Sequence, residues 1–269
     1  MALDEDSTTS SSFSQSLERG LAILSSFNET TPVLGVADLS RAVALNKSTT
    51  YRYVATLARL GYLQQDPETK KYSLGPRVVD LGFAAINALE VNRAAAPYLQ
   101  ALADETGYTV SMAVLDGTDI IYVERRRSCR SSGGFAMALN LHVGSRLPAY
   151  CTSMGKVLLA HQEPAVLRGL LDRTDFARRG SKTLTNREQL TAALARIRQS
   201  GVAVNDEELA AGLRSVAAPV RDRTGRVVAA INIAVHLTVW STTADAVVGR
   251  LERPLRHSAA EISNRLGYR

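Results

Sequence analysis

The sequence predicts an α+β protein in two parts, and three observations predict it. Near the N-terminus two amphipathic helical segments meet at a tight break and run into a short hairpin. An unusually apolar helical stretch follows. Beyond it, β-branched runs alternate with helical segments and turn signals, the pattern of an antiparallel sheet with helices on its faces. A chain of 269 residues is more readily two domains than one.

Composition bounds the function without fixing it. With 45% hydrophobic and 22% charged residues the chain reads as globular. The net charge of +6 permits a polyanionic partner, but the basic residues are spread along the chain. Cys129 and Cys151 make no disulfide framework and match no metal spacing, so neither metal nor cofactor is expected. The N-terminus is acidic and then Ser/Thr-rich, with no apolar signal core, and no later run is long enough to span a membrane. A reducing, cytoplasmic setting follows as the expectation.

Residues 1–13 are polar and low in complexity, and read as a disordered tail. Residues 14–27 form an amphipathic helix whose stripe is Leu17, Leu21 and Leu24, with Ile23 and Phe27 beside it and Arg19 outward. In residues 36–61, Val36, Leu39 and Val43 share one face of a first helix. Asn46 then caps a second, because its side-chain oxygen accepts from free amides of the next turn. Thr50, Val54, Leu57 and Ala58 form the inner face of that second helix. At about 100° per residue, Ser48, Thr49, Arg52, Thr56 and Arg59 fall opposite, with no acid among them. Short hydroxyls and arginines are what phosphates and base edges require. A hairpin over residues 62–74 turns at Pro67-Glu68-Thr69 and sets Lys70 and Lys71 where a wing meets the DNA backbone. Residues 14–75 thus read as a winged helix-turn-helix. Its candidate contacts are Arg19, Arg41, Lys47, Ser48, Thr49 and Thr50. Arg52, Tyr53, Thr56, Lys70 and Lys71 complete them.

Residues 76–90 read as a linker helix able to pack on a second copy, with the helical pattern continuing to 103 past a break near Glu90 or Pro97. Residues 91–269 form the second domain. Strands are expected at 109–115 and 120–125 around the turn Asp116-Gly117, and at 135–143, 202–204, 215–220 and 227–235. A loop is expected at 144–152, and helices at 153–161, 164–171, 186–199 and 243–266.

The stretches SLERGLAIL, ADLSRAVALNKSTTYRYVATLARLGYL and YSLGPRVVDLG resemble the DNA-binding domain of IclR-type transcriptional regulators. GSRLPAYCTSMGKVLLA, DEELAAGLRSVAAPVRD and GRVVAAINIAV are similar to that family's effector domain, a GAF-like α+β fold. The wording is nearest to the branch that governs protocatechuate and β-ketoadipate catabolism. The resemblance implies a homodimer or dimer of dimers on palindromic operator DNA, controlled by a small-molecule effector. It implies a pocket lined by Leu147, Ser153, Met154, Asn205, Ser215, Asn232 and Ala234. Gly155 joins them, because residues 152–155 open a helix whose free amides suit an anion. Where some members carry Asp at 205 and Cys at 215, this chain has Asn205 and Ser215, which repel a carboxylate less. The effector so implied is an aromatic or dicarboxylic acid.

Other readings compete. Another branch, for glyoxylate, acetate or a different carbon source, shares much of this wording. Cys151 with His142 or His161 could be a nucleophile and base, but an ordinary structural thiol is the better reading. Asp206-Glu207-Glu208 cannot all face one metal ion, and Arg214 is better explained by an internal salt bridge to these acids than by a ligand.

Overall fold

The computed structural model describes residues 13–28, 30–128, 141–236 and 244–268. The chain divides into one compact unit ending at Ala88 and another beginning at Leu89. The expected tail lies outside the described residues except for Phe13, which is exposed.

The first unit holds α1 (Gln15–Ser25), α2 (Val36–Ala42), α3 (Lys47–Arg59), β1 (Leu63–Gln65), β2 (Tyr72–Leu74) and α4 (Pro76–Ala88). Asn46 caps α3 as the sequence implies, its Oδ1 accepting from the Thr49 amide at 2.8 Å. Ile23, Phe27, Leu39, Val54, Leu63 and Tyr72 form the core. This reverses the expected face of α1: Leu17 and Leu21 are 63% and 54% exposed, whereas Ile23 and Phe27 are buried. The apolar arc of α1 is wide enough for two orientations, and docking on α3 selects the second. The wing is shorter than expected, and Leu34 pairs with Tyr72 through backbone bonds of 2.9 and 2.8 Å. Asp66 holds its turn by accepting from the Glu68 and Thr69 amides and the Thr69 hydroxyl. A Cβ at Gly75 would lie 2.3 Å from the Gly61 carbonyl oxygen, so only glycine lets the wing close against the end of α3.

The second unit begins with α5 (Glu90–Thr106). Leu89 is extended, at ψ 104, and Pro97 stays inside the helix. Proline removes one backbone bond there, but Ala95, Leu99 and Leu102 are fully or almost fully buried and hold the helix down. The strands are β3 (Thr109–Asp116), β4 (Asp119–Arg126), β5 (Arg146–Pro148), β6 (Ala203–Asp206), β7 (Leu213–Arg221) and β8 (Val227–His236). They form one sheet in the order β5-β4-β3-β8-β7-β6, antiparallel throughout. The helices are α6 (Ser153–Ala160), α7 (Pro164–Asp172), α8 (Arg187–Ser200) and α9 (Ala244–Arg265).

Two expectations need correction. Of the strand expected at 135–143, residues 135–140 lie outside the described residues and 141–143 are not extended in a sheet. The loop expected at 144–152 contains β5 and a 3-10 turn, Ala149–Cys151. A three-residue edge strand ending in proline shows no alternation to read.

The sheet is covered on both sides. Val110, Met112, Val216, Ile231 and Ile233 pack with Leu99 and Leu102 of α5 and Leu255 and Ile262 of α9. On the opposite face, Ala113, Ala203, Ala217 and Ala230 pack with Met154, Val157 and Leu158 of α6 and Leu190 and Leu194 of α8. At Gly155 an added Cβ would stand 2.2 Å from the Ala149 oxygen and 2.4 Å from its Cα. Gly155→Ala should therefore lower the unfolding free energy by roughly 1–3 kcal/mol in urea denaturation. Gly169→Ala, at a position in α7 with nothing within 4 Å, should instead be neutral or stabilising by about 0.5–1 kcal/mol.

Candidate nucleic-acid interface and ligand site

The outer face of α3 presents Lys47, Ser48, Tyr51, Arg52, Thr56 and Arg59 to solvent, and the helix contains no acid. Lys70 and Lys71 are exposed beside the wing turn, with Lys70 in the left-handed region at φ 57. Thr49 is half-buried at the edge of the face. Thr50 is not a contact: it is fully buried and its hydroxyl donates to the Asn46 carbonyl at 3.0 Å. Tyr53 is half-buried, and the nearby Ser16 and Arg19 side chains hold its phenol below its ordinary value. Thr56 donates its hydroxyl proton to the Arg52 carbonyl at 2.8 Å, so that proton is spent within the helix. Arg41 is ion-paired with Asp38, whose other oxygen accepts from the Gly35 amide at 3.1 Å. The sequence reading missed Tyr51, which is 56% exposed and lies one turn beyond Ser48 on the same helix face. Its helical angle would have found it; as an aromatic it reads as core.

In the second unit, the sheet face under α6 changes character along its length. Register aligns Ala203, Ala217, Asn232, Ser111 and Arg125 on one cross-strand row. Asn205, Ser215, Ala234 and Thr109 form the next row. Ser153, the first residue of α6, meets Ser215 through a 2.7 Å hydroxyl pair. Thr152 caps α6, accepting from the Gly155 amide at 3.1 Å through its side chain and from the Lys156 amide at 2.9 Å through its carbonyl. The Ser153 and Met154 amides are the other two backbone donors of that first turn. Ser153, Met154, Ser215, Asn232 and Ala234 thus come together at the start of α6.

Two expected members do not join them in that role. Asn205 is consumed structurally: its Nδ2 donates to the Cys151 carbonyl and its Oδ1 accepts from the Glu208 amide at 3.3 Å. Leu147 pairs with Ile120 on the edge strand, about 13 Å along the strands from the row of Ser111.

Arg125 is the member that sequence reading missed. Alternation from Ile120 and Tyr122, which face α6, would send Arg125 to the other side of the sheet. A β-bulge intervenes: Met112 faces Glu124 while Ala113 faces Tyr122, leaving Val123 as the extra residue. The slip places Arg125 opposite Ser111, on the α6 face, and re-aiming of this kind is what bulges do. The sequence carries no signal for it.

The remaining charged and reactive groups are accounted for. Arg214 Nε donates to Asp206 at 2.6 Å and Lys182 Nζ donates to the same carboxylate at 2.5 Å. Burial would raise the Asp206 carboxyl, but these bonds and charges hold it below its ordinary value. Lys156 and Glu208 form a buried ion pair, and Lys156 also donates to the Val204 carbonyl at 2.8 Å. Cys151 is fully buried, and its nearest hydrogen-bond acceptor is the Pro148 carbonyl at 3.7 Å. His161 Nδ1 is bound to the Val157 carbonyl instead. No cluster of metal-binding side chains occurs among the described residues, nor any helix long and apolar enough to cross a membrane.

A winged helix with an acid-free outer face, joined to a domain with a buried polar end, has the make-up of a DNA-binding regulator that carries its own sensor. Residues 16–67 match the IclR helix-turn-helix domain, and residues 83–264 match the bacterial transcriptional regulator IclR C-terminal domain. The chain belongs to the IclR family of transcriptional regulators. It is 39% identical to the Pca regulon regulatory protein of Pseudomonas putida, over 84% of this chain and 75% of that protein. It is 35% identical to the regulator XynR of Escherichia coli (strain K12), over 94% and 98%. Among solved structures, a transcriptional regulator from Rhodococcus sp. RHA1 superposes with a TM-score of 0.80 at 37% identity, covering 94% of this chain and 98% of that one. An IclR homologue from Microbacterium hydrocarbonoxydans complexed with 4-hydroxybenzoate gives 0.78 at 27% identity, over 93% and 98%. These relatives are regulators, and this chain is a regulator rather than an enzyme.

The thiol supplies a check on that conclusion. Burial pushes Cys151 up from 9.0 to about 11, so at pH 8 the protonated form dominates and the reactive thiolate is about 100-fold scarcer than in an exposed cysteine. In a Cys129→Ser chain, thiol-specific labelling at pH 8 should be at least about 100-fold slower in the folded protein than in denaturant. Fast labelling of the native protein would show an activated thiol.

Proposed function

We propose that this regulator binds a palindromic operator as a dimer or dimer of dimers and controls a catabolic operon for aromatic acids, through the β-ketoadipate pathway. Its effector is a small aromatic or dicarboxylic acid, with protocatechuate and β-ketoadipate the leading pair. The observation that carries the acid reading is the polar end of the sheet under α6. There the Ser153–Ser215 hydroxyls, the Asn232 amide and two helix-N-terminal amides converge against Met154, as an anion site requires. The likeness to the Pca regulon regulatory protein and to the homologue complexed with 4-hydroxybenzoate supports it. Likeness to XynR, and 32% identity to KdgR of Escherichia coli (strain K12), supports a second reading, a regulator of another carbon source. Calorimetry with aromatic acids and dicarboxylates, repeated with operator DNA present, separates the two. Binding that leaves operator affinity unchanged, or no binding by either class, would sink the first.

On the DNA side, the acid-free face of α3 is the reading surface, with Arg52 at its centre and Ser48 and Tyr51 flanking. Arg52→Ala should weaken binding to DNA from upstream of its own gene by roughly 1–3 kcal/mol, measured by fluorescence anisotropy. Thr50→Val, which alters no exposed atom of that face, should leave the relative affinity for different operator sequences alone.

Self-association is assigned to the first unit's exposed apolar side chains. Val79 and Phe83, one turn apart on α4, are 55% and 61% exposed, and Leu17 and Leu21 on α1 are similarly open. One winged domain alone buries too little surface for tight operator binding. Analytical ultracentrifugation at micromolar concentration should give a dimer or tetramer. A Val79→Glu, Phe83→Glu chain should shift towards monomer and bind operator more weakly; a monomeric parent protein would exclude the assignment.

A further inference from the structure

The polar end of the sheet holds two buried groups that the protein leaves unmatched. Arg125 Nε and Asn232 Oδ1 are closed off from solvent and have no hydrogen-bond partner among the described residues. They stand on one cross-strand row, with only the small side chain of Ser111 between them. Two strand spacings, about 10 Å, separate their backbones. Asn232 is 5% exposed, and its amide oxygen is closed off from solvent.

The acids that could neutralise Arg125 are already used. Glu124, its neighbour in sequence, accepts from Arg126 at 3.1 Å and from the Arg125 backbone amide at 2.9 Å. Glu208 is taken by Lys156, and Asp206 by Lys182 and Arg214. Tyr122 is a buried phenol pushed up to about 12, so it brings no negative charge at neutral pH. Burial holds the Arg125 guanidinium below its ordinary value. Arg125 is half-buried with its Nε closed off, and partial desolvation of a cation without a counter-ion is unfavourable. Native proteins pair such groups, and an orphan marks a place for something the chain does not contain.

We propose that Arg125 receives the carboxylate of the effector while Asn232 takes a hydroxyl at its opposite end, so that the ligand is a small hydroxy acid spanning the row. This rests on the reading of that sheet end as the effector site, and it moves the carboxylate from the helix-end amides to Arg125, leaving the Asn232 end for the hydroxyl. A guanidinium presents a planar fork matched to a carboxylate, and an amide oxygen needs a donor. Of the two leading compounds, this selects protocatechuate, which carries ring hydroxyls, over β-ketoadipate.

The test is titration calorimetry on the full chain, as wild type, Arg125→Gln, Arg125→Lys and Asn232→Ala. The probes are protocatechuate, 4-hydroxybenzoate, benzoate, 4-hydroxybenzamide and the aliphatic hydroxy acids lactate and glycolate. Arg125→Gln should bind the acids roughly 10- to 100-fold more weakly and the neutral amide nearly unchanged, with Arg125→Lys recovering part of the acid affinity. Asn232→Ala should narrow the preference for 4-hydroxybenzoate over benzoate. An equal loss for acid and amide in Arg125→Gln would mean a structural role and overturn the proposal. Unchanged acid affinity would overturn it while leaving the aromatic effector in place. Binding of the aliphatic acids alone, lost in Arg125→Gln, would uphold Arg125 and remove the aromatic reading. No binding by acids of either kind would remove both.

Discussion

Helix α6 lies against the sheet because the strands beneath it carry alanine. Ala113, Ala203, Ala217 and Ala230 are fully or almost fully buried on that face, and bulkier residues would lift the helix away. Gly155 brings the helix equally close to its own leading turn, against Ala149. With α6 held down, Ser153 reaches Ser215 and Asn205 reaches the Cys151 carbonyl. The site follows from where the alanines stop. Two residues along each strand from Ala113, Ala230 and Ala217, the same face carries Ser111, Asn232 and Ser215, and hydrophobic packing gives way to groups that must be hydrogen-bonded.

The rim of that site is fixed by polar interactions rather than by packing. Lys156 and Glu208 are both more than nine-tenths buried and paired with each other. Burial raises the Glu208 carboxyl, and the Lys156 charge counters only part of it. Such a pair adds little net stability, but removing one partner costs about 3–5 kcal/mol because the other charge stays buried. Thr183 then holds the same loop, its hydroxyl 2.6 Å from the Glu208 carbonyl. The residues after β6 are thereby tied to α6 on one side and to the segment before α8 on the other. A site with a fixed rim orients its ligand with less loss of freedom on binding.

What was legible in the sequence divides by the range of the interaction. The Asn46 cap, the buried Val54 and the outward Arg52 depend on neighbours within a turn or two, so helical spacing displays them. The side of α1 that docks was not legible, because Leu17, Leu21, Ile23 and Phe27 are all apolar and only the partner surface chooses among them. Hydroxyls were ambiguous for a related reason: Ser48, Thr50 and Thr56 suit DNA equally as residue types, yet Thr50 and Thr56 donate to backbone carbonyls of their own helix. In the second unit the resemblance carried the pocket residues, but not their duties. Asn205 looks like a ligand contact and is a brace between two loops. Arg125 lay beyond any sequence argument, since its face is set by one extra residue in a strand pairing.

Regulation places a further demand on this arrangement. An effector that binds every arrangement of the protein equally shifts none of them, however tightly it binds. On the proposed reading, Arg125 gives charge a part in that inequality: a carboxylate ligand stabilises most the arrangement in which it meets the half-buried guanidinium most closely. Because allosteric couplings of about 1–3 kcal/mol already change affinity some 5- to 150-fold, one desolvated ion pair is of the right size. The sign of the response at the operator then depends on which form grips DNA. A neutral ligand of the same shape would fill the space and leave the charge unmatched, so shape alone would make a weaker switch than charge.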